Sequence, residues 1–525
     1  MKNVYFSCFL FLVSISLQAQ FKPALDEDIL LNQNTLSSLP TGLAGQNKLK
    51  IEINRYSDLV PDYNKTSSLD TINTSLTDTL KYNMYGDLLN DNPLYNEKSS
   101  VWWVAFRVTL TNVTTNLIDH YIFNYEFSHV GFNSWKHNLQ TGWEWDVDRF
   151  SMNYFFHPFA GAMYFNGARA NGYSFFESAP FTVLGSLEWE YFGETTLPAY
   201  NDIINTSING IFLGEVFYRL GSNILDDQTT GANRFFRETA VAIITPTRFF
   251  SRLLQGKVFR QTTEEVYQKE PLNIKIASGY HYVSEGTNPA IDPATNSVFF
   301  NLYLDYGNPF EKRSRKPFDF FKMGIDLDFG TGRKILQNVD GYGILFGSNV
   351  QTGNLEMLAG LYQHYDFFSN NTFELASIGF GPGAISKLPI SKSTSLYTNI
   401  FANIVPFGGL STRFGPDTTQ TRDYNYVGGA EGRLECTLNI GGWSEISFLG
   451  YYWWLHTYVG TPGNSYVGLI KPKVSIRIFD GLSIGYEHLV YYSDRYPYDL
   501  ASVSAKRTEE KIYLQFFLEE FKFKR

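Results

Sequence analysis

A regular alternation of apolar and polar residues runs through the second half of the chain, from about Leu272 to the C-terminus. Within residues 474–487 the alternation turns at Asp480-Gly481, which is a hairpin signal. A period of two gives each strand one apolar and one polar face, so this half is predicted to be an antiparallel sheet. Residues 318–329 carry the clearest apolar set: Phe321, Met323, Ile325, Leu327 and Phe329.

Twelve segments of this kind can be counted, and most are about ten or more residues long. In a soluble sandwich the apolar faces would form a core, whereas in an outer-membrane barrel they point to lipid and the polar faces line the lumen. The even count and the strand lengths favour the barrel. The predicted strands begin near residues 272, 296, 317, 341, 354, 372, 393, 424, 443, 465, 481 and 508.

Composition agrees with a membrane barrel. Aromatic residues make up 17% of the chain, and aromatic girdles flank the apolar band of such barrels. The formal net charge of −9 argues against a nucleic-acid partner, because nucleic-acid binding needs a basic footprint. The fold class is therefore predicted to be mostly β with an α insert: a transmembrane antiparallel barrel of about twelve strands, preceded by a small helical domain.

The N-terminus predicts export. Residues 1–19 have a basic start at Lys2, an apolar stretch, and a Leu17-Gln18-Ala19 cleavage signal, as in a secretory signal peptide. We therefore expect localisation in a bacterial outer membrane, with outer-membrane lipid and the barrel-assembly machinery as partners. The alternating run from Ile512 to Leu518 is predicted to close the barrel, although the chain ends in Lys524-Arg525 instead of an aromatic residue.

Two further regions precede the helical domain. Residues 20–100 are polar and show little apolar periodicity, so they are interpreted as a leader that runs over the surface. Residues 101–149 are interpreted as strand-rich, because Trp102, Val104 and Phe106 alternate with their neighbours.

Residues 150–260 change to a helical period, while residues 265–525 form the predicted barrel. At 100° per residue, Gly161 shares a helix face with His157. A second helix is predicted to start at Ser178, two residues before a proline, and a third near Asn201. Stripes of small residues predict close helix packing. The helical domain is expected to plug the barrel lumen or, alternatively, to dock at the periplasmic mouth.

The order of residues in 143–256 resembles a family of bacterial outer-membrane proteins, found in Bacteroidetes-type genomes and defined by a domain of unknown function. The resemblance covers about a fifth of the chain; it implies export and a barrel, but no reaction. The residues that carry it are Trp145-Asp146-Val147-Asp148, Asn153, His157-Pro158-Phe159-Ala160-Gly161, Ala168-Arg169, Gly172, Glu177-Ser178, Trp189-Glu190, Glu194, Asn201-Asp202, Gly214-Glu215, Arg234, Arg237-Glu238, Pro246 and Gly256.

Three ionisable residues of the helical domain are candidate catalytic groups: His157, Glu188 and Glu215. His157 can transfer protons near neutral pH, and Glu188 on an aromatic face is expected to be a carboxyl with a raised pKa. The alternatives are structural. His157 would be a hydrogen-bonded residue at a helix end, and Glu188 would pair with a buried arginine such as Arg169 or Arg219. Glu215 can pair with Arg219, four residues further along the helix.

Four residues are candidate binding groups: Arg169, Glu194, Asp202 and Arg219. No metal site and no cofactor are predicted, because the helices lack the histidine spacings of metal motifs and the chain lacks a phosphate-binding loop. A Gly-x-Ser-x-Gly nucleophile motif is also absent.

Two functions follow from these observations, and the sequence leaves open whether the protein is an enzyme. The first is a non-enzymatic envelope or transport role for the barrel and its plug. The alternative is an enzyme that modifies envelope lipid, with His157 and Glu188 as acid and base; its ligand would be a lipid or a glycan.

Overall fold

The structure is a computed structural model that describes residues 82–283, 295–330, 334–370, 373–412 and 422–520. The predicted signal peptide and residues 20–81 of the predicted leader lie outside these residues, as does Lys524-Arg525.

Seven α-helices precede the barrel in the described part of the chain. Three π-helical turns extend them, at Asp119–Phe123, Met152–Phe156 and Trp189–Gly193, and short 3₁₀ turns lie at Glu126–Ser128 and Lys257–Phe259. The helices are α1 (Val101–Ile118), α2 (Phe132–Thr141), α3 (His157–Arg169), α4 (Phe175–Glu188), α5 (Tyr200–Ile224), α6 (Gly231–Ile244) and α7 (Pro246–Leu254).

Helix α1 corrects the prediction that residues 101–149 are strand-rich. Ser100 caps this helix by accepting a hydrogen bond from the Trp103 amide, and Val104 and Val108 pack inward. Apolar residues occupy the exposed side of α1 as well as its buried side. Because both faces are apolar, the sequence of α1 shows no clear helical period. Short stretches of it alternate in the way expected of a strand.

The start of α4 also differs from its prediction at Ser178. Ser174 caps the helix in a capping box. Its hydroxyl accepts a hydrogen bond from the Glu177 amide, and the Glu177 carboxylate accepts one from the Ser174 amide. Pro180 therefore lies inside the helix instead of in its first turn.

Twelve antiparallel strands close into a barrel in which β1 pairs with β12, which confirms the predicted fold class. Most strands begin within a few residues of the predicted positions. They are β1 (Leu272–Val283), β2 (Thr295–Tyr306), β3 (Phe321–Phe329), β4 (Leu336–Thr352), β5 (Leu355–Ser369), β6 (Glu374–Pro389), β7 (Thr394–Ser411), β8 (Tyr424–Ile440), β9 (Ser444–Val459), β10 (Gly463–Phe479), β11 (Leu482–Pro497) and β12 (Val503–Leu518).

One face of each strand points into the lumen. Lys275 of β1 forms a 2.8 Å ion pair with Glu445 of β9, four strands away around the barrel, so this contact crosses the interior. Arg433 of β8 pairs with Asp366 of β5 in the same way. A second part of the lumen is filled by a buried apolar cluster that includes Phe368, Leu375, Val405, Val427, Trp453, Leu455, Val467, Leu469, Leu489 and Tyr491.

The helices pack against the other face of the strands, on the outside of the barrel wall. Tyr365 and Phe367 alternate with the lumenal Asp366, and the Tyr365 ring lies 5.7 Å from Phe212 of α5. The Phe367 ring lies 5.9 Å from Phe150. The helical region is therefore neither a plug in the lumen nor a cap on its mouth, and both predicted placements are wrong.

Helices α3 and α5 form the layer that covers this wall. They approach closely at Gly161 and Gly210, where a Cβ on Gly161 would lie 1.8 Å from the Thr206 carbonyl oxygen. None of the helices in the described ranges combines the length and the apolar character needed to cross a membrane.

Candidate functional site

A cavity of about 300 Å³ lies in the helical region, close to the start of β8. All three π-helical turns contribute to its wall, and such turns are frequent at functional sites. Trp145, Trp189 and Phe156 supply aromatic surface. Besides Tyr164, the ionisable residues of the wall are His157 and seven acids: Asp119, Glu144, Asp146, Asp148, Glu190, Glu194 and Asp202.

Asp146 is held by a network of amides and one barrel hydroxyl. Its Oδ1 accepts hydrogen bonds from Asn153 Nδ2 at 2.8 Å, from Asn201 Nδ2 at 2.9 Å and from Tyr426 Oη at 2.9 Å. Three donors converge on one oxygen, and this geometry requires an oxygen that carries no proton. The barrel therefore helps to fix the site, because Tyr426 is on the outward face of β8.

His157 and Asp202 face each other from neighbouring helices. His157 opens α3 directly before Pro158, while Asp202 lies in the first turn of α5. His157 Nε2 is 3.4 Å from Asp202 Oδ1, and Asn201 Nδ2 donates to that oxygen at 2.6 Å. The close approach at Gly161 brings these two helices near enough for the pair to form.

Burial and like charge shift the protonation of the cavity acids. Burial raises the pKa of Glu190 to about 8, and the charge of Asp146 adds to that effect. The pKa of Asp202 rises well above its ordinary range, first through burial and then through the charge of Asp146. Glu194 is shifted in the same direction by burial and by Glu190. At neutral pH the cavity therefore holds carboxylic acids that can donate protons.

His157 is shifted toward its neutral form. Burial lowers its pKa to about 4, although the charge of Asp146 acts in the opposite direction. At physiological pH His157 is therefore a neutral imidazole, with one donor and one acceptor nitrogen.

Three polar side chains in the cavity wall have buried atoms without a hydrogen-bond partner among the described residues. Asp119 is 1% exposed, and neither of its carboxylate oxygens has a hydrogen-bond partner. The hydroxyls of Ser186 and Thr206 are also buried and unpartnered. A buried polar group without a partner costs free energy, so these groups are suited to a bound ligand.

The cavity wall contains no lysine or arginine among the described residues. In the same part of the chain, no group of three or more His, Cys, Asp or Glu side chains has an arrangement that could hold a metal ion. The site thus combines the hydrogen-bonded Asp146 side chain with acids of raised pKa and a neutral imidazole, and such groups suit acid–base catalysis.

Residues 142–247 match a family described as a domain of unknown function, DUF3943. This match confirms the predicted resemblance to a family of that kind, while its occurrence in Bacteroidetes-type genomes stays a prediction. Six of the seven cavity acids and His157 lie inside the matched segment, and Asp119 lies before it. No curated protein matches the chain.

Solved barrels with similar folds include three porins or channels. The NanC porin in a rhombohedral crystal form is 9% identical, with a TM-score of 0.24, over 46% of this chain and 98% of its own. An anion-selective porin from Comamonas acidovorans is 9% identical, with a TM-score of 0.23, over 47% and 98%. The outer membrane channel DcaP of Acinetobacter baumannii is 8% identical, with a TM-score of 0.22, over 47% and 96%. Because these TM-scores are low, the fold is assigned from the strand pairing of this chain alone.

The structure brings together only some of the residues predicted as site groups. His157, Glu194 and Asp202 line the cavity. Glu188 lies outside it, where its carboxylate accepts a 2.9 Å hydrogen bond from the Thr109 hydroxyl and a longer one from Asn112.

Glu215, Arg169 and Arg219 form a separate buried cluster. Arg169 Nε lies 2.7 Å and Arg219 Nε 2.9 Å from the Glu215 carboxylate. Burial favours the neutral acid, but the two guanidinium groups outweigh it and lower the pKa of Glu215. These three residues satisfy one another, as the structural alternative expects.

Sequence reasoning missed Asp119, Asp146 and Glu190 as site residues. Asp146 and Glu190 belong to the residues that carry the family resemblance, in Trp145-Asp146 and Trp189-Glu190. The recurrence of an acid after tryptophan was the available signal. Asp119 had none, because it was assigned to a strand-rich segment.

Proposed function

We propose that the protein is an outer-membrane barrel that anchors an acid–base site for an envelope lipid. The membrane placement is supported by the part of the barrel exterior that the helices leave uncovered. Its outward side chains are large, apolar and exposed, as lipid contact requires. They include Ile400, Ile404, Ile446, Phe448, Ile470, Val474, Ile476, Ile484, Ile512, Leu514 and Phe516.

The acid–base assignment rests on one observation: the convergence of Asp146, Asp202, Glu190 and His157 on one cavity. Asn201 Nδ2 contacts an oxygen of both aspartates, at 2.9 and 2.6 Å, so the two carboxyls lie close together. One carboxylate surrounded by donors and one acid with a raised pKa form a base and an acid in the same cavity.

Each group has a role in this proposal. When a hydroxyl group or water attacks an acyl carbon of the lipid, Asp146 accepts the proton of that nucleophile, and His157 accepts a hydrogen bond from it. Glu190 donates a proton to the oxygen or nitrogen that leaves as the original acyl bond breaks. A phosphate anion is disfavoured at the centre of the cavity, because the described wall offers it no lysine or arginine and the ionised acids would repel it. The bound part of the lipid is therefore a headgroup with hydroxyl or amine groups, which would also supply partners to Asp119, Ser186 and Thr206.

A non-enzymatic transport role is the second candidate, and a lumenal cavity favours it. This cavity has a volume of about 440 Å³ and polar walls that include Lys275, Lys322, Glu435 and Glu445. The apolar cluster around Trp453 fills another part of the lumen, which weighs against an open pore. Stepwise conductance of the purified protein in planar lipid bilayers would favour transport over anchoring.

Comparing envelope lipids from deletion and parent strains by mass spectrometry tests the catalytic proposal. We expect one lipid species to accumulate in the deletion strain and to disappear when the intact gene is restored. A His157→Ala gene should fail to restore the profile although its product reaches the outer membrane. Identical lipid profiles in the deletion and parent strains would refute the proposed activity.

A further inference from the structure

Helix α1 exposes a largely apolar face, which Thr109 interrupts. Trp102 is 84% exposed and Phe106 is 52% exposed, and Val113 and Leu117 extend the same surface toward the end of the helix. After the helix, Tyr121 continues the series. A soluble monomer rarely exposes a contiguous apolar surface of this extent.

The buried face of α1 combines Val104 and Val108 with polar groups of the helix. Arg107 is its only charged residue, and it is buried with Nη1 2.8 Å from Asn171 Oδ1. Asn112 is also buried and donates to the Gly185 carbonyl at 2.9 Å. A helix on a water-exposed surface turns its charged and polar residues outward. In α1 the exposed face is apolar as well, which is typical of a helix whose outer face is in lipid.

The apolar face is continuous with the exterior of the barrel. The ring of Phe176, in the first turn of α4, stacks on Phe346 of β4, with centroids 5.7 Å apart and planes 11° apart. Both rings are more than half exposed. The surface that the barrel offers to lipid thus continues onto the helices without a polar border at this contact.

The length of this face matches a bilayer. Nineteen residues separate Trp102 from Tyr121, so at 1.5 Å per residue they lie about 28 Å apart, close to the hydrocarbon thickness of about 30 Å. Tryptophan and tyrosine prefer the two membrane interfaces. Lys98, before Trp102, and Lys136, on α2, are charged residues that lie outside this interval.

We infer that bilayer lipid covers the exposed apolar face of α1 and the adjoining Phe176 ring of α4. This inference rests on the proposed membrane placement of the barrel and extends it to the helical region. Asp119 directly follows α1 and lines the cavity, so the cavity lies at the depth of the lipid headgroups. A headgroup can then enter the site while its acyl chains stay in the bilayer.

Spin labels in reconstituted vesicles test the inference. Cys436→Ser removes the cysteine of the barrel, and a nitroxide is then attached at Phe106→Cys or Val113→Cys. Ile470→Cys on β10 is the barrel control, and Lys136→Cys is the aqueous control. The ratio of collision rates with oxygen and with a water-soluble nickel chelate reports lipid contact. Heat-modifiable migration on a gel selects the variants that fold.

We expect the ratio at Phe106 and Val113 to be within twofold of that at Ile470 and at least fivefold above that at Lys136. Values at the level of Lys136, with Ile470 in lipid, would overturn the inference and leave the barrel placement intact. Low collision rates with both agents would also overturn it, because a protein partner would then cover the face. An aqueous value at Ile470 would overturn both proposals.

A measurement on unlabelled protein provides a second test. Lipids brominated on their acyl chains quench tryptophan fluorescence by contact. The Trp102→Phe/Trp103→Phe variant should lose part of the quenchable emission of the parent protein. An unchanged quenchable fraction in this folded variant would contradict lipid contact at α1.

Discussion

Two groups of buried acids in the helical region differ in what surrounds them. Glu215 lies between Arg169 and Arg219, with ion-pair distances of 2.7 and 2.9 Å. Glu190 and Asp202 lie in a cavity whose described wall has no lysine or arginine. The first group has a lowered pKa and the second has raised pKa values, although burial acts in the same direction on both.

This difference separates a structural role from a chemical one. An acid that is neutralised by arginines holds helices together and has no capacity left for a substrate. Acids that are neutralised only by protons must release or share those protons, so their state responds to pH and to a ligand. The comparison predicts that damage to the first group affects stability, whereas damage to the second affects function.

The largest expected effect comes from the paired group. Glu215→Gln leaves two buried guanidinium groups without their carboxylate, which should lower the free energy of unfolding by about 3–5 kcal/mol. Denaturant unfolding in detergent micelles, followed by resistance of the helical region to protease, measures this change. Glu177→Gln is the matched control. Its pair with Lys98 is about half exposed, so the loss should stay below about 1 kcal/mol.

The helix contact that aligns the cavity should be sensitive to a single methyl group. In Gly161→Ala the new Cβ would lie 1.8 Å from the Thr206 carbonyl oxygen, so α3 and α5 must separate. We expect a loss of about 1–3 kcal/mol in stability, and a wider gap between His157 and Asp202. Gly167→Ala on the same helix is the control, because its nearest neighbour would be 3.5 Å away. Equal melting temperatures for the two variants would contradict the proposed packing.

The raised pKa of Glu190 predicts that stability falls as pH rises. Folded Glu190 keeps its proton up to a pKa of about 8, whereas the unfolded carboxyl loses it near 4.5. Over pH 6.5–8 the folded state therefore binds more protons, and the free energy of unfolding should fall by about 1.5 kcal/mol. The lowered pKa of His157 acts below this window.

Glu190→Gln should remove this contribution and flatten the decline between pH 6.5 and 8. Thermal melts of both proteins across the window measure it. A decline of equal size in the variant would show that Glu190 ionises normally in the folded protein.

The sequence could predict the barrel because a strand's two faces alternate whatever covers them. It could not predict that helices lie on the outer wall, since Tyr365 and Phe367 are suitable contacts for either lipid or a helix. The sequence could also predict His157 and Asp202 as site residues, because both lie in regular helical turns. A period of 100° per residue places Glu188 on an aromatic face, but it does not anticipate the π-helical turn at Trp189–Gly193, in which Glu190 lines the cavity.

The smallest expected effect is at that unused glutamate. Glu188→Gln keeps a side chain that can bond the Thr109 hydroxyl and Asn112, so stability should change by about 0.5 kcal/mol or less. Thermal melts check this value. A shift of more than about 5 °C would indicate a larger structural role for Glu188.

The most direct test of whether the unpaired acids act on lipid is to complement the deletion strain with a Glu190→Gln gene or a Glu188→Gln gene. The lipid profiles of the two complemented strains are then compared with that of the parent strain. Both products should reach the outer membrane in equal amounts and migrate as folded barrels. We predict that the Glu188→Gln gene restores the parental lipid profile, whereas the strain with the Glu190→Gln gene keeps the lipid profile of the deletion strain. A parental profile from the Glu190→Gln gene would contradict this prediction.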